Sequence, residues 1–179
     1  YRVARDGKSE KCITSGDYDI ISVVLVDEKN NQLYFMASPD NATQSYLYRA
    51  PLDGSSKAER LSPAAQQGSH RYDISPNALW ASHSFSNANT PPMNEWLKLL
   101  EHKAVKEADD ISKKLAAQST STKKVEFFKV KTEDGIELDG WMVKPTNFDP
   151  AKKYPIVFSV YGEPASATVR DSWGTGRNG

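Results

Sequence analysis

At 179 residues the chain has the length of one ordinary domain, or of one domain and part of a second. Its 23 basic and 23 acidic residues cancel to a net charge of zero, so no overall field attracts nucleic acid and a nucleic-acid-binding function is disfavoured. The single cysteine, Cys12, excludes an intrachain disulfide and a cysteine-built zinc site, while an aromatic content of 10% argues against disorder and favours a folded, β-rich protein.

The two ends of the chain give no targeting information. The sequence starts at Tyr1 without an initiator Met, residues 1–5 lack the apolar core of a signal peptide, and residues 174–179 are rich in glycine. No run approaches the ~18 apolar residues that cross a bilayer. We therefore expect a piece of a longer protein, cut at both ends.

An internal repeat marks the first part of the chain. Residues 1–7, Tyr-Arg-Val-Ala-Arg-Asp-Gly, return 47 residues later as residues 48–54, Tyr-Arg-Ala-Pro-Leu-Asp-Gly. Each copy predicts a short strand that runs into an Asp-Gly turn. Residues 18–20, Tyr-Asp-Ile, likewise return as residues 72–74, so the pattern continues across a loop of variable length.

Short alternating or β-branched runs predict strands between these markers. Four of them predict an up-and-down meander, at residues 21–26, 32–37, 45–50 and 57–61. Asn30-Asn31 and Asp53-Gly54 tolerate the positive φ of tight hairpins. A second unit is predicted at residues 70–74, 79–85 and 94–101. Four-stranded units that repeat every ~40–50 residues are typical of β-propeller blades, and a plain β-sandwich is the alternative.

The pattern changes after His102. Val105, Ala108, Ile111 and Leu115 lie at helical spacing, which predicts one amphipathic helix over residues 105–117. The small polar stretch at 118–122 is typical of a linker. We therefore predict two units, with the last propeller blades and a connecting helix in residues 1–118 and the beginning of a second domain in residues 119–179.

The second unit contains strands of two kinds. An antiparallel hairpin is predicted from residues 125–131 and 136–143. Residues 155–161 form a nearly continuous apolar run, which predicts a strand buried on both faces of a largely parallel sheet. The predicted fold class is therefore mainly β, with a partial β-propeller of four-stranded antiparallel blades followed by the first strands of an α/β domain.

Few residues suggest chemistry by themselves. His70, His83 and His102 lie on separate predicted elements and share no metal-ligand spacing with Cys12 or with a pair of carboxylates. The sequence holds no Gly-x-Ser-x-Gly nucleophile elbow, no Gly-x-Gly-x-x-Gly after a strand and no phosphate-binding Gly-Lys-Ser/Thr. We predict no metal and no cofactor, and find no complete active site in the sequence.

Two stretches carry a resemblance to a known family. Residues 134–145, DGIELDGWMVKP, and residues 152–164, KKYPIVFSVYGEP, resemble the start of the catalytic α/β-hydrolase domain in the prolyl oligopeptidase superfamily, and within it the dipeptidyl peptidase IV family. The predicted blades and the Ser75-Pro76-Asn77 segment resemble the closing blades of that family's propeller. The likeness covers nearly the whole chain and is strongest from Tyr154 to Pro164.

The resemblance assigns one residue of this chain to catalysis. In the family, a tyrosine after the first long hydrolase strand donates its hydroxyl to the tetrahedral intermediate, and the matching position is Tyr161. The alternative is that Tyr161 only packs at the end of a strand. Glu163 departs from the small residue of many relatives, and its role is open. The resemblance also implies that the triad Ser, Asp and His lie beyond Gly179, and that the paired glutamates that bind the substrate's amine lie before Tyr1.

The resemblance further implies substrates and partners. Relatives of this kind release dipeptides after Pro or Ala from peptide N-termini, so we expect peptide substrates, a secreted, periplasmic or membrane-anchored parent protein, and no catalysis by this polypeptide alone. No nucleic-acid partner is expected, and we expect either a homodimer or strands of another partner to cover the unpaired blade edges. A propeller-type interaction module and a tripeptidyl or acylaminoacyl peptidase are the alternatives.

Arg170 and Asp171 are predicted to form weak pairs with each other or with neighbours on a solvated loop.

Overall fold

The computed structural model describes residues 1–106, 114, 124–160, 162 and 167–176. The described residues contain twelve strands, arranged in two four-stranded sheets and two hairpins. In chain order the strands are β1 (Arg2–Val3), β2 (Glu10–Lys11), β3 (Ile20–Asp27), β4 (Gln32–Ala37), β5 (Tyr46–Pro51), β6 (Glu59–Arg60), β7 (Ser69–Ile74), β8 (Trp80–Asn87), β9 (Thr90–Lys98), β10 (Lys103–Lys106), β11 (Val125–Lys131) and β12 (Glu137–Val143). Within these ranges no helix has the length and apolar character that spanning a membrane requires.

The first sheet is the meander that the sequence predicts. Its strands lie in the order β3-β4-β5-β6 with antiparallel neighbours, and β4 has the predicted bounds. At the two tight turns Asn31 and Gly54 adopt φ angles of 56° and 61°, in the left-handed region that asparagine and glycine tolerate. The Asn31 side-chain amide donates to the Asp53 carboxylate at 2.9 Å, so the two turns are joined at one end of the sheet.

The second sheet has a fourth strand where the sequence predicts a helix. Its order is β7-β8-β9-β10, with antiparallel neighbours throughout. His102 adopts a φ of 44° and reverses the chain, so that Lys103 and Ala104 stand opposite Lys98 and Leu97 of β9. The helix predicted from Val105 is therefore wrong at its start, because pairing with β9 overrides helical spacing there. Residues 107–113 and 115–123 lie outside the described residues, so the remaining helix, the linker and the boundary at 118 stay predictions.

The two sheets pack face to face. Nine buried residues from both sheets form one core, and its fully buried members include Leu47, Leu97 and Leu99. The opposite face of the first sheet packs on a second core that contains Phe35 and Ile13. The central strands β4 and β5 are therefore covered on both faces, as the strands of a propeller blade are covered by neighbouring blades.

Main-chain hydrogen bonds also join the two sheets at one edge. The Ser45 N–H donates to the Gly68 carbonyl at 3.2 Å, and the His70 N–H donates to the Ser45 carbonyl at 3.0 Å. These bonds form a parallel bridge between Ser45 and Ser69. We call this contact the main-chain seam.

The internal repeat of the sequence is also a repeat of structure. In the β1–β2 hairpin Arg2 stands opposite Lys11, and in the β5–β6 hairpin Arg49 stands opposite Glu59. In both hairpins the two strands are connected through the Asp-Gly turns that recur 47 residues apart. The β1–β2 hairpin thus corresponds to the last two strands of the first sheet.

In the second unit, one of the two predicted features is confirmed. β11 and β12 form the expected hairpin, with seven opposed pairs from Val125 opposite Val143 to Lys131 opposite Glu137. The apolar run at 155–160 does not form the predicted buried strand, because it pairs with no strand of the described chain. Ile156, Val157 and Phe158 are 73%, 94% and 83% exposed. A buried parallel strand needs paired neighbours and covering helices, and the described residues place none around this run.

Candidate functional site

The predicted oxyanion donor, Tyr161, lies outside the described residues, and so does Glu163. Residues 153–160 lead to Tyr161 without regular secondary structure, and residues 167–176 follow it. The assignment of Tyr161 therefore stays a prediction. The described residues that follow it in sequence show how this part of the chain is attached to the two sheets.

Asp171 fastens this part of the chain to both sheets. Its carboxylate accepts hydrogen bonds from the Ala88 N–H and from the Gln44 side-chain amide, each at 2.9 Å. Its carbonyl accepts from the Ser69 hydroxyl at 2.9 Å, and its N–H donates to the Thr43 carbonyl at 2.6 Å. The prediction of a weak pair on a solvated loop is wrong for Asp171, because ordered loops of both sheets surround it.

The residues after Asp171 reach the β11–β12 hairpin. The Trp173 N–H donates to the Ser86 hydroxyl of the second sheet at 3.3 Å. Gly176 lies so close to the hairpin that a Cβ atom built on it would be 2.7 Å from Val143 Cγ2 and 3.1 Å from Val125 Cγ2. Residues 171–176, which we call the clasp segment, thus link both sheets to the hairpin.

An open cleft of about 930 Å³ lies between the loops of the first sheet, the hairpin and Asp171. Carboxylates line much of it, namely those of Asp17, Asp19, Asp40, Asp139 and Asp171. These negative walls favour a cationic group over an anion. Ser38 lines the cleft and donates its hydroxyl to the Asn41 carbonyl, and no histidine belongs to the described lining. The described part of the cleft therefore holds no nucleophile–base pair.

A largely buried polar cluster lies on the second sheet. The sequence places His70, His83 and His102 on separate elements, and the structure brings them together with Tyr72 and Glu95. His70 Nδ1 lies 2.9 Å from His83 Nε2, and His83 Nδ1 lies 2.7 Å from Glu95 Oε1. The Tyr72 hydroxyl lies 2.8 Å from His102 Nε2. We call these five residues the histidine cluster.

Strand register explains how the cluster forms. His70 and Tyr72 are two residues apart in β7, so their side chains lie on the same face of the sheet. On the neighbouring strands, His83 of β8 stands opposite Tyr72 on one side and opposite Glu95 of β9 on the other. His102 joins them from the turn between β9 and β10. The spacing of His70 and Tyr72 indicates part of this arrangement in the sequence, whereas the register of β7, β8 and β9 is visible only in the structure.

Burial controls the charge of the histidine cluster. It lowers the pKa of His70 to about 4 and the pKa of His83 to about 3, and it also lowers the pKa of His102. Burial raises the pKa of the Tyr72 hydroxyl. Each shift disfavours the charged form, because protein replaces water around the group. Within the described residues no set of histidine, cysteine and carboxylate side chains is arranged to hold a metal ion.

A match to a protein-family model assigns the chain to a family. Residues 1–92 match the model described as the dipeptidyl peptidase IV (DPP IV) N-terminal region. The chain belongs to the dipeptidyl peptidase IV family. The matched residues of this DPP IV family chain contain β1 to β8 and the start of β9, so both four-stranded sheets fall largely within that region. The resemblance seen in the sequence is confirmed.

Curated relatives of this DPP IV family chain are much longer. The probable dipeptidyl-aminopeptidase B of Emericella nidulans is 30% identical over 174 residues, which are 94% of this chain and 19% of that protein. The probable dipeptidyl-aminopeptidase B of Coccidioides posadasii is 28% identical over 181 residues, with coverage of 94% and 18%. The chain therefore spans about a fifth of the length of the curated relatives it matches.

Two solved structures share the fold of this DPP IV family chain. The crystal structure of Porphyromonas gingivalis dipeptidyl peptidase 4 has a TM-score of 0.81 at 24% identity, over 96% of this chain and 24% of that one. A putative dipeptidyl aminopeptidase IV from Bacteroides ovatus has a TM-score of 0.68 at 21% identity, over 89% and 22%. At these identities the likeness shows the fold, and it confirms the predicted mainly β class with propeller-like sheets.

Proposed function

We propose that this chain is part of a serine exopeptidase that releases dipeptides after Pro or Ala from peptide N-termini by acyl transfer. The match of residues 1–92 to the DPP IV family carries this proposal. The relatives named dipeptidyl-aminopeptidase B support the same reaction class. In this proposal the substrates are peptides with Pro or Ala at the second position, and the intact protein is secreted, periplasmic or membrane-anchored.

Tyr161 acts in this proposal as the donor that stabilises the oxyanion. When a serine hydroxyl attacks a peptide carbonyl, the carbonyl oxygen gains negative charge, and a phenol aimed at it donates a strengthened hydrogen bond. One such donor contributes roughly 3–4 kcal/mol of transition-state stabilisation. The position supports the role, because Tyr161 ends the apolar run that resembles the first long hydrolase strand.

Tyr161→Phe in the intact peptidase tests this role. We expect kcat on Gly-Pro p-nitroanilide to fall roughly 10²–10³-fold, with little change in KM or in thermal unfolding. Tyr154→Phe is the matched control and should leave kcat unchanged. The Tyr154 hydroxyl accepts a hydrogen bond from the Asp149 N–H at 2.9 Å, and its ring stacks on Phe148. An unchanged kcat in Tyr161→Phe would reject the role.

We also propose that the 179-residue chain is inactive when assayed alone. It contains no Gly-x-Ser-x-Gly elbow. Burial lowers the pKa of His70 and of His83, and both rings are bonded within the histidine cluster, so neither is placed to take a proton from a serine. The purified chain should leave Gly-Pro p-nitroanilide intact. Turnover that persists through repurification and follows this polypeptide would disprove the proposal.

One observation supports a peptidase over a self-sufficient interaction module. The exposed apolar run at 155–160 is an aggregation hazard on a freestanding module, whereas an α/β-hydrolase sheet covers such a run on both faces. A tripeptidyl or acylaminoacyl peptidase differs from the proposed enzyme in its substrates. Relative kcat/KM on dipeptidyl, tripeptidyl and N-acetylated reporter peptides separates these activities.

A homodimer is proposed from the unpaired sheet edges. β3 and β10 stand at the ends of their sheets, and an edge strand presents N–H and C=O groups to another chain. Size-exclusion chromatography with light scattering should give twice the mass of one chain. A clean monomer would contradict the dimer.

A further inference from the structure

The histidine cluster contains two hydrogen-bonded branches, and the first is complete when all its groups are neutral. In this branch the Leu47 N–H donates to Ser62 Oγ at 2.8 Å, Ser62 Oγ lies 3.0 Å from the Tyr72 hydroxyl, and that hydroxyl lies 2.8 Å from His102 Nε2. Serine donates to tyrosine and tyrosine donates to a neutral imidazole. Every contact then contains one hydrogen, and no additional proton is needed.

The second branch is one hydrogen short. His70 Nε2 lies 2.9 Å from the Gln66 carbonyl, His70 Nδ1 lies 2.9 Å from His83 Nε2, and His83 Nδ1 lies 2.7 Å from Glu95 Oε1. A carbonyl only accepts, so His70 Nε2 must carry a hydrogen, and each of the other two contacts needs one more. Two neutral imidazoles carry one hydrogen each, and a carboxylate carries none. The three contacts therefore need one proton more than these groups hold.

We propose that His70, His83 and Glu95 share this additional proton in the folded protein at neutral pH, and that its loss at alkaline pH destabilises the second sheet. With the proton in place the branch has no net charge, because it balances the carboxylate. Without the proton, either the His70–His83 contact of 2.9 Å or the His83–Glu95 contact of 2.7 Å has no hydrogen between its two atoms. The lone pairs of those atoms then repel each other, and that contact must open. The branch is a hydrogen-bonded link between β7, β8 and β9 whose strength depends on pH.

The groups around the branch favour a shared proton over an isolated imidazolium. The titratable groups that face it are Tyr46 on β5, Arg60 on β6, Tyr72 on β7 and His102 after β9. Burial is the largest cause that lowers the pKa of His70 and of His83, and the positive charge of Arg60 acts in the same direction on His70. The additional proton is therefore bound by His70, His83 and Glu95 together, and it is not assigned to one imidazole ring.

The direction of the pH dependence follows from the hydrogens bound in each state. In the unfolded chain the two imidazoles carry four ring hydrogens below about pH 6.5 and two above it. The folded branch holds three. Stability therefore rises with pH up to about 6.5, where the unfolded chain binds more protons, and falls above it, where the folded state binds more. On the alkaline side the unfolding equilibrium constant increases about tenfold per pH unit until the shared proton dissociates.

Glu95→Gln separates the shared proton from a merely structural role. The glutamine amide donates to His83 Nδ1, His83 Nε2 donates to His70 Nδ1, and His70 Nε2 donates to the Gln66 carbonyl, without an additional proton. The folded variant holds two ring hydrogens, so its stability should rise about twice as steeply below about pH 6.5 and should not fall above it, and it gains stability relative to the wild type as the pH rises. Glu59→Gln is the matched control, because Glu59 is an exposed carboxylate paired with Arg49 at 2.8 Å.

Urea unfolding of the full chain from about pH 5 to about pH 10 tests the proposal in the wild type, Glu95→Gln and Glu59→Gln. Above neutral pH the unfolding constant of the wild type and of Glu59→Gln should rise about tenfold per pH unit relative to Glu95→Gln. Nitrogen NMR of the wild-type imidazoles gives a readout that needs no variant to fold, and it should show a hydrogen on His70 Nε2 at neutral pH. Parallel curves for wild type and Glu95→Gln above neutral pH, or a bare His70 Nε2, would overturn the proposal.

Discussion

Replacing Asp171 with alanine should remove the side-chain hydrogen bonds between the clasp segment and both sheets, while the main-chain bonds of residue 171 to Thr43 and Ser69 remain. The change removes the acceptors of the Ala88 N–H and of the Gln44 amide, both now 2.9 Å from the carboxylate. Ala88 is 1% exposed, so its N–H remains buried without an acceptor, at a cost of about 1–3 kcal/mol. Gln44 is half-buried and can turn to water, which adds about 0.5–1 kcal/mol. We expect the free energy of unfolding to fall by about 1.5–4 kcal/mol in all.

Urea unfolding measures this loss, and hydrogen exchange locates it. The Ala88 amide should exchange faster in Asp171→Ala, because it loses its hydrogen bond to the Asp171 carboxylate. Asp139→Ala is the control, since Asp139 lines the same cleft from β12, and its effect should stay within about 0.5 kcal/mol. If Asp171→Ala unfolds at the wild-type urea concentration and Ala88 exchanges at the wild-type rate, the account of the clasp segment is refuted.

Two further substitutions test the packing between the sheets. Leu97→Ala, at a fully buried position in the core that both sheets share, should lower the free energy of unfolding by about 2–5 kcal/mol in a urea titration. Gly68→Ala would place a Cβ atom 2.4 Å from the Ser86 carbonyl oxygen, and should cost about 1–3 kcal/mol more than Gly7→Ala, where no atom lies within 4 Å. Equal shifts of the thermal midpoint in the two glycine variants would contradict the predicted clash.

Local pattern predicts the meander strands and fails where pairing is decided at a distance. β4 has its predicted bounds because its apolar residues lie between an Asn-Asn turn and a polar loop. β10 is different, since Val105 begins a run of apolar residues at helical spacing. The strand forms because His102 turns the chain back onto Leu97, and nothing in the residues of β10 indicates that turn.

The candidate site is less predictable from sequence than the fold, because its contacts join residues far apart in the chain. Asp171 follows Arg170 in the sequence, and this neighbour predicts a surface ion pair. Its actual partners, Gln44 and Ala88, are 127 and 83 residues away. The prediction of a buried strand at 155–160 fails for a different reason. The apolar pattern is that of a buried strand, but the described residues supply no sheet for it to join.

The main-chain seam determines which changes the contact between the two sheets tolerates. Two of its hydrogen bonds, Ser45 N–H to the Gly68 carbonyl and His70 N–H to the Ser45 carbonyl, use only backbone atoms that nearly every residue type provides. The side chain of Ser45 can therefore be exchanged without removing these two bonds, whereas a Cβ atom at Gly68 would lie 2.4 Å from the Ser86 carbonyl oxygen. A one-residue insertion in either loop would shift the donors away from their acceptors. The contact is therefore sensitive to loop length and to the residue at position 68, and less sensitive to the residue at position 45.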